Sequence, residues 1–292
     1  MSNLKKIKSV ISYVSRERYN KPLTCLNVRD NTASVTDLET SIIFKDTFGL
    51  KDGLYPVVDL NHSIELDGEY PKIDERFKTL QKLIISRKSL ETLIKYASKD
   101  YTRSYLNGIY FDETRAVAND GYSLRYVEIE GLKEGKIIPR KSIEILIKLL
   151  KAYKCVNAFI HFDNNYAYVD NSLFHFQSHL INREYIKYQG VIPKKFNYKF
   201  IVNNFPSEKL IKSLIVDKNK ARCSILGNDN KVYLKISDQS ILIGECNENF
   251  EIGFNPLYLI RSAEGCNKFI VEYNGNLHPV KVNESILMPL KL

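Results

Sequence analysis

Apolar residues recur at three- and four-residue steps in several separated stretches, and each stretch gives way to short runs that alternate in character. "LKKIKSVISYVSRE" (4–17), "SRKSLETLIKYASKD" (86–100) and "SEKLIKSLIVDKNK" (207–220) carry the helical period. In the second of these, Leu90, Leu93, Ile94 and Ala97 share one face. Two further helices are expected to open on Pro139 and Pro256, because proline is tolerated in a helix's first turn. Strands are predicted over "LTCLNVRD", "YLNGIYFDE" and "CSILGNDN", each following one of the first three helices.

The order of these elements repeats, and the repeat decides the architecture. After each helix and strand comes the same phrase: "SVTDLETSII" (34–43), "VANDGYSLRYV" (117–127) and "KISDQSILI" (235–243). From the helical Leu4, Leu90 and Leu210 to Asp37, Asp120 and Asp238 is 33, 30 and 28 residues. A second unit follows in two places, as strand, Pro-initiated helix and three strands, beginning at "GKIIPRKS" and at "FEIGFNPL". In the first third, "GLYPVVDLNHSIELDGEYP" begins the same way and stops short. The chain therefore reads as two and a half copies of a double unit, each unit a helix covering a small antiparallel sheet.

Composition narrows the class. Of the 292 residues 44% are hydrophobic and 26% charged, enough for real cores in a soluble protein. No apolar run approaches the roughly 18 residues of a membrane span, and the lysine- and arginine-bearing N-terminus lacks a signal-peptide core. Five scattered cysteines without a C-x-x-C pair fit buried free thiols in a reducing cytoplasm. The net charge of +9 is uneven: residues 1–80 are balanced, 81–195 hold 19 basic against 12 acidic residues, and 196–292 hold 12 against 10. A basic middle third suggests an acidic partner such as nucleic acid, although a solvated lysine face has the same spacing.

Catalytic readings are weak. Asp37, Asp120 and Asp238 fall in three different repeats, whereas a two-metal nuclease brings carboxylates to ions about 4 Å apart. An aspartate at a strand end more simply accepts local backbone amides and sets a turn. His175 and His179 in "SLFHFQSHLI" lie on a strand-like alternation, which holds them about 13 Å apart rather than on one helical face. No P-loop, nucleophile elbow or Gly-rich dinucleotide turn is present. No catalytic residue, metal or cofactor is expected.

The phrases "SYLNGIYF" (104–111), "VANDGYSL" (117–124), "IIPRKSIEILIKLL" (137–150), "EIGFNPLYLI" (251–260) and "ILMPLKL" (286–292) come in one order and spacing. Together they make the chain similar to the bacterial DNA polymerase III beta subunit, the DNA sliding clamp. That resemblance covers residues 81–292 almost continuously; before residue 81 only "KPLTCLNVRDNTASVTDLETSI" matches well. It implies an α+β DNA-clamp fold, with helices lining a ring and antiparallel sheets outside. The implied division is a shortened first domain (1–80), a middle domain (81–195) and a C-terminal domain (196–292).

By resemblance the function is that of a non-catalytic processivity factor, a head-to-tail homodimer around double-stranded DNA. Its implied partners are the polymerase III catalytic subunit, the clamp loader and other proteins carrying clamp-binding peptides. The family's peptide pocket carries over to Leu106, Asn119, Gly121, Tyr122, Ser123, Leu124, Ile186, Gly190, Val191, Ile286, Met288, Pro289 and Leu290. DNA contacts carry over to Arg18, Arg103, Tyr105, Arg140 and Lys141, with Arg140, directly after Pro139, equally placed to close a helix N-terminus. Dimer contacts carry over to Ile215 and Val216, with "NHSIELDGE" (61–69) as the expected edge on the first-domain side. Lys5, Lys8 and Arg16, Lys88, Lys95 and Lys99, and Lys141, Lys148 and Lys151 follow helical steps that suit phosphate contact. Tyr122 and Ser123 depart from the His and Arg common in this family, Ile186 from a proline and Gly190 from an arginine. The runner-up reading is a clamp-derived adaptor that binds replication peptides without closing on DNA.

Overall fold

The first helical period becomes α1 (Ser2–Val14), in which Ile7, Val10, Ile11 and Val14 are buried at the expected steps. The computed structural model describes residues 2–15, 21–66, 69–73, 81–217 and 221–291. The chain forms two compact units, one of residues 1–118 and 127–185, the other of 119–126 and 186–292.

Unit 1 contains β1 (Cys25–Arg29), β2 (Thr32–Thr36), β3 (Thr40–Phe44), β4 (Gly53–Pro56), β5 (Gln81–Ser86), α2 (Arg87–Leu93), β6 (Gly108–Phe111) and β7 (Arg115–Asn119). The chain then contributes β8 (Ser123–Glu128), which begins in unit 2. It returns as β9 (Lys136–Pro139), α3 (Arg140–Ala152), β10 (Asn157–Phe162), β11 (Tyr166–Asp170) and β12 (Phe174–His179). Eight antiparallel strands run β4-β1-β2-β3-β12-β11-β10-β5, and β6 pairs with both β7 and β9. Helices α1 and α2 both pack on α3. That explains why seven α3 positions, from Ser142 to Leu150, are buried: a helix contacted on two sides cannot keep a narrow apolar stripe.

Unit 2 contains β13 (Tyr198–Val202), α4 (Glu208–Ser213), β14 (Cys223–Asn228), β15 (Lys231–Ile236), β16 (Gln239–Glu245), β17 (Phe250–Phe254), α5 (Pro256–Ala263), β18 (Phe269–Tyr273), β19 (Val280–Val282) and β20 (Ser285–Leu287). Its strands run β17-β14-β15-β16-β13-β18-β19-β20-β8. Asn255 caps α5 by accepting the Leu257 amide at 2.9 Å, with Pro256 in the first turn as expected. The sheets are built across the repeat boundaries. β3 pairs with β12 over five residues, although residue 80 separates them in sequence, and β8 pairs with β20 across residue 195.

Several local expectations shift. Pro139 ends β9 and stands at the cap of α3, one place before its first turn. Helix α2 stops at Leu93 because Arg140 Nη1 donates to the carbonyls of Ile94 and Ala97, both at 2.7 Å, drawing them away from helical partners. Helix α4 ends at Ser213, well before residue 220. Of the expected edge strand at 61–69, residues 67 and 68 lie outside the described residues; among those described, Ile64 makes an isolated bridge to Leu54, and no helix lies between β4 and β5. Cys25, Cys223 and Cys246 are buried free thiols, but Cys155 is half-buried and Cys266 exposed. Among the described residues no helix is long and apolar enough to cross a membrane.

Candidate functional site

The phrase that opens β8 is organised by Asp120. Its Oδ1 accepts the amides of Tyr122 at 3.0 Å and Ser123 at 2.9 Å, and the Asp120 amide returns to the Ser123 carbonyl at 3.3 Å. The turn is tight enough to put Gly121 at φ 92°, where a side chain would be strained. Asn119 Oδ1 accepts the Gly121 amide. These bonds are the local turn role read for the repeated aspartates, and Asp37 shows them too. Asp238 does not: it sits exposed in a two-residue hairpin closed by Ile236 and Gln239.

From this turn the side chains are laid out by sheet register. Leu124 pairs with Ile286 and Ser123 with Leu287. The Met288 amide donates to the Tyr122 carbonyl at 2.9 Å, and the Leu290 amide to the Gly253 carbonyl at 2.8 Å. Leu124 and Ile286 are 1% and 2% exposed, a covered apolar floor, whereas Tyr122 and Met288 stand at the rim, 47% and 38% exposed. Pro289 and Leu290 are half-buried. Ile186 and Val191, in the same unit, are half-buried on a segment that ends in a 3₁₀ turn from Tyr188; Gly190 is exposed, with open space where a Cβ would stand. Leu106 is buried in unit 1.

Two residues of α5, absent from the sequence reading, tie the rim down. Arg261 Nη2 donates to Asp120 Oδ2 at 2.7 Å and to Ser123 Oγ, and its guanidinium lies over the Tyr258 ring, 4.9 Å from the centroid. Tyr258 in turn stacks on Tyr122 at 5.5 Å and 18°. The sequence signal was an aromatic and a cation three residues apart, hence on one helical face. Ser123 stands where a family arginine was expected, and here a guanidinium reaches it from α5 instead. A rim of tyrosine and methionine over aliphatic residues suits contact with an apolar segment.

The basic positions divide by what they touch. In unit 1, Lys5, Lys8, Lys88, Lys95 and Lys99 are exposed. Arg140 is 15% exposed and engaged twice, with the α2 carbonyls and with Glu144 at 2.9 Å. Lys141 pairs with Asp37, Lys151 with Glu91 at 3.1 Å, and Lys148 lies 5.0 Å over the Tyr13 ring. Arg103 meets Asp100 at 3.0 Å, and hydrogen bonds from Thr102, then Arg103, hold that carboxyl below its usual range. Tyr105 is half-buried in a 3₁₀ segment; Arg16 and Arg18 lie outside the described residues. In unit 2, Ile215 is half-buried and Val216 is 95% exposed, just past α4.

Comparison with known proteins agrees with the resemblance read from the sequence. No protein-family model matches the chain. The chain is 28% identical over 244 residues to the beta sliding clamp of Rickettsia bellii, a match covering 70% of this chain and 64% of that protein. It is 22% identical over 254 residues to the beta sliding clamp of Helicobacter pylori strain 26695, covering 80% and 63%. The chain thus spans just under two-thirds of the curated relatives it matches. Among solved structures, the DNA polymerase III beta subunit of Thermotoga maritima superposes at a TM-score of 0.81 with 19% identity, over 100% of this chain and 98% of that one. The Bartonella birtlesii sliding clamp bound to griselimycin gives 0.79 at 20% identity, over 99% and 98%. The chain has the sliding-clamp fold.

Proposed function

We propose that the chain is a DNA sliding clamp, a non-catalytic processivity factor that encircles duplex DNA and tethers the replicative polymerase and other clamp-binding proteins. The observation that carries this reading is the clamp fold extending over the whole chain. Its three domains would be residues 1–80, 81–195 and 196–292, each opening on one copy of the helix-and-aspartate phrase. The exposed lysines of α1 and α2 suit many weak phosphate contacts without base readout, which is what sliding requires. Arg140 is better assigned to closing α2, because its donors already have protein acceptors. Tyr122, Met288 and the aliphatic residues beneath them would receive the partners' peptide. A head-to-tail dimer would use Ile215 and Val216, of which Val216 is 95% exposed and available to a partner. Such a protein would work in the cytoplasm, on the nucleoid.

The test is retention on DNA. The protein, loaded onto nicked circular duplex with a clamp loader, should stay bound through a salt wash and slide off once the circle is linearised. Equal loss from circles and linear duplex would refute encirclement. The adaptor is the second reading, favoured by a first third whose sequence begins the second unit and stops short, and that result combined with intact peptide binding would establish it.

A further inference from the structure

The segment that follows each of the first two repeats carries a tyrosine, and the two tyrosines meet different floors. Tyr185, between Glu184 and Ile186, stacks on Tyr110 of β6 with ring centroids 4.4 Å apart and planes 6° from parallel. Tyr70, between Glu69 and Pro71, holds the same place in the earlier copy. Sheet register names what lies beneath it. Tyr110 is flanked by Val117 on β7 and Ile137 on β9, whereas at the equivalent point Asn27 of β1 is flanked by Ser34 on β2 and Leu54 on β4. The Tyr70 hydroxyl donates to the Ser34 carbonyl at 3.3 Å, which fixes the segment over that pair. The ring that Tyr110 supplies in the second repeat is therefore missing from the first.

Its place is open. A cavity of about 690 Å³ is bordered by Tyr70, Asn27 and Ser34, with Ile43 and Ile73 as an apolar wall. Asn27 Nδ2 donates to Ser34 Oγ at 3.4 Å, a long bond that uses one of its two hydrogens. The second N–H is uncommitted among the described residues. Asn27 Oδ1 accepts no bond among them either, and it is not sealed from solvent. The floor thus offers a donor and an acceptor side by side on one carboxamide. Charge at the mouth cancels: Arg29 lies 3.7 Å from Asp30, both largely exposed, and Glu69 and Lys72 add one of each sign. Such a mouth favours a neutral occupant over an anion or a cation.

We infer that this cavity binds an adenine base, stacked on Tyr70 as Tyr110 is stacked on Tyr185. A neutral planar ring replaces the absent tyrosine, and base–aromatic stacking supplies the attraction. At the ring edge N6–H₂ donates to Asn27 Oδ1 while N7 accepts from the free N–H, the two-point pairing a carboxamide makes with adenine. A phenyl side chain entering the same space would leave both Asn27 groups without a partner, and a phenol or indole would satisfy only one. A free nucleoside and an unpaired strand present the same ring, and the test separates them. The inference is independent of the site around Asp120.

The probe is adenosine, titrated to millimolar concentration into the full-length protein labelled with ¹⁵N-asparagine and ring-¹³C-tyrosine. Comparators are N6,N6-dimethyladenosine, which keeps the stack but loses the edge donor, and p-cresol, the tyrosine side chain alone. Adenosine should shift the Asn27 side-chain amide and the Tyr70 ring signals together and saturably, and both comparators should bind about tenfold or more weakly. Asn27→Leu and Tyr70→Leu should each weaken adenosine about tenfold, whereas Tyr70→Phe, which keeps the ring, should stay within about threefold of wild type. Asn27→Tyr should fill the cavity, abolish binding and raise the melting temperature, because it restores the ring stack of the second repeat. No saturable shift with adenosine, equal affinity for p-cresol, or undiminished binding in a folded Asn27→Leu or Asn27→Tyr variant would overturn the inference. A hexamer of deoxyadenylate, read at the same two residues, separates the sources. Binding about tenfold tighter than adenosine identifies an unpaired strand, and equal or weaker binding identifies the free nucleoside.

Discussion

Replacing Asp120 with asparagine isolates the electrostatic part of the frame at the head of β8. The Asp120 and Arg261 side chains are 13% and 18% exposed, so their 2.7 Å ion pair is largely shielded from water. Removing one partner of a fully buried pair costs roughly 3–5 kcal/mol, mostly because the other charge is left uncompensated. Here Arg261 keeps Ser123 Oγ and the Tyr258 ring, which brings the expected cost to about 2 kcal/mol. Asparagine keeps an oxygen for the amides of Tyr122 and Ser123; alanine does not. Each such bond is worth about 1 kcal/mol, but the exposed Tyr122 end of the turn recovers water, so Asp120→Ala should cost about 3 kcal/mol. Asp37→Asn should cost about 1 kcal/mol or less, since Lys141 is 41% exposed and re-solvates. The assay is urea unfolding followed by circular dichroism, with hydrogen exchange of the β8 and β20 amides locating the loss. A double-mutant cycle with Arg261→Met should return a coupling of about 1.5 kcal/mol. A coupling indistinguishable from zero, or an asparagine variant as costly as alanine, would refute the assignment of this energy to the ion pair.

The remaining predictions concern the pocket, the interface and the thiols. Tyr122→Ala combined with Met288→Ala should weaken a clamp-type peptide by about 2 kcal/mol in calorimetry while leaving unfolding nearly unchanged, because both side chains are rim-exposed; undiminished binding would remove the rim from the site. Light scattering should give twice 33.8 kDa at micromolar concentration, and Val216→Lys should shift the population to monomer; a wild-type monomer at every concentration would remove the ring. Burial pushes the Cys223 thiol up to about 12 from an ordinary 9.0, so the unfolded chain ionises first as pH rises. Its contribution is therefore complete below pH 9.0 and lost progressively toward pH 12, and a disulfide reagent at pH 8 should label Cys266 within minutes but Cys223 only on unfolding.

The core of this fold was legible because burial and periodicity are the same fact seen twice. Leu90, Leu93, Ile94 and Ala97 read as one helical face and are all buried, and His175 and His179 read as strand and lie on β12. Of the candidate site, the β8 and C-terminal residues were legible only as a resemblance; their joining through Leu124 and Ile286 depends on a pairing across more than 160 residues, which local pattern does not encode. Arg261 and Tyr258 were missed for the same reason, since nothing near them in sequence points to Asp120. Asp238 was misread in the opposite sense, because its phrase matches while its hairpin is two residues long and leaves no amides for the carboxylate to gather.

By itself the sequence determined the alternation of helix and strand, the twofold unit of the second and third repeats and the balance of charge, because these follow from side-chain hydrophobicity and local backbone preference. Tertiary structure alone decided which repeat's strand seals against which, where α2 stops, and that Ser123 is served by a guanidinium from α5. Those outcomes depend on long-range register and on the pairing of half-buried charges, whose energies exist only once the partners are brought within hydrogen-bonding distance.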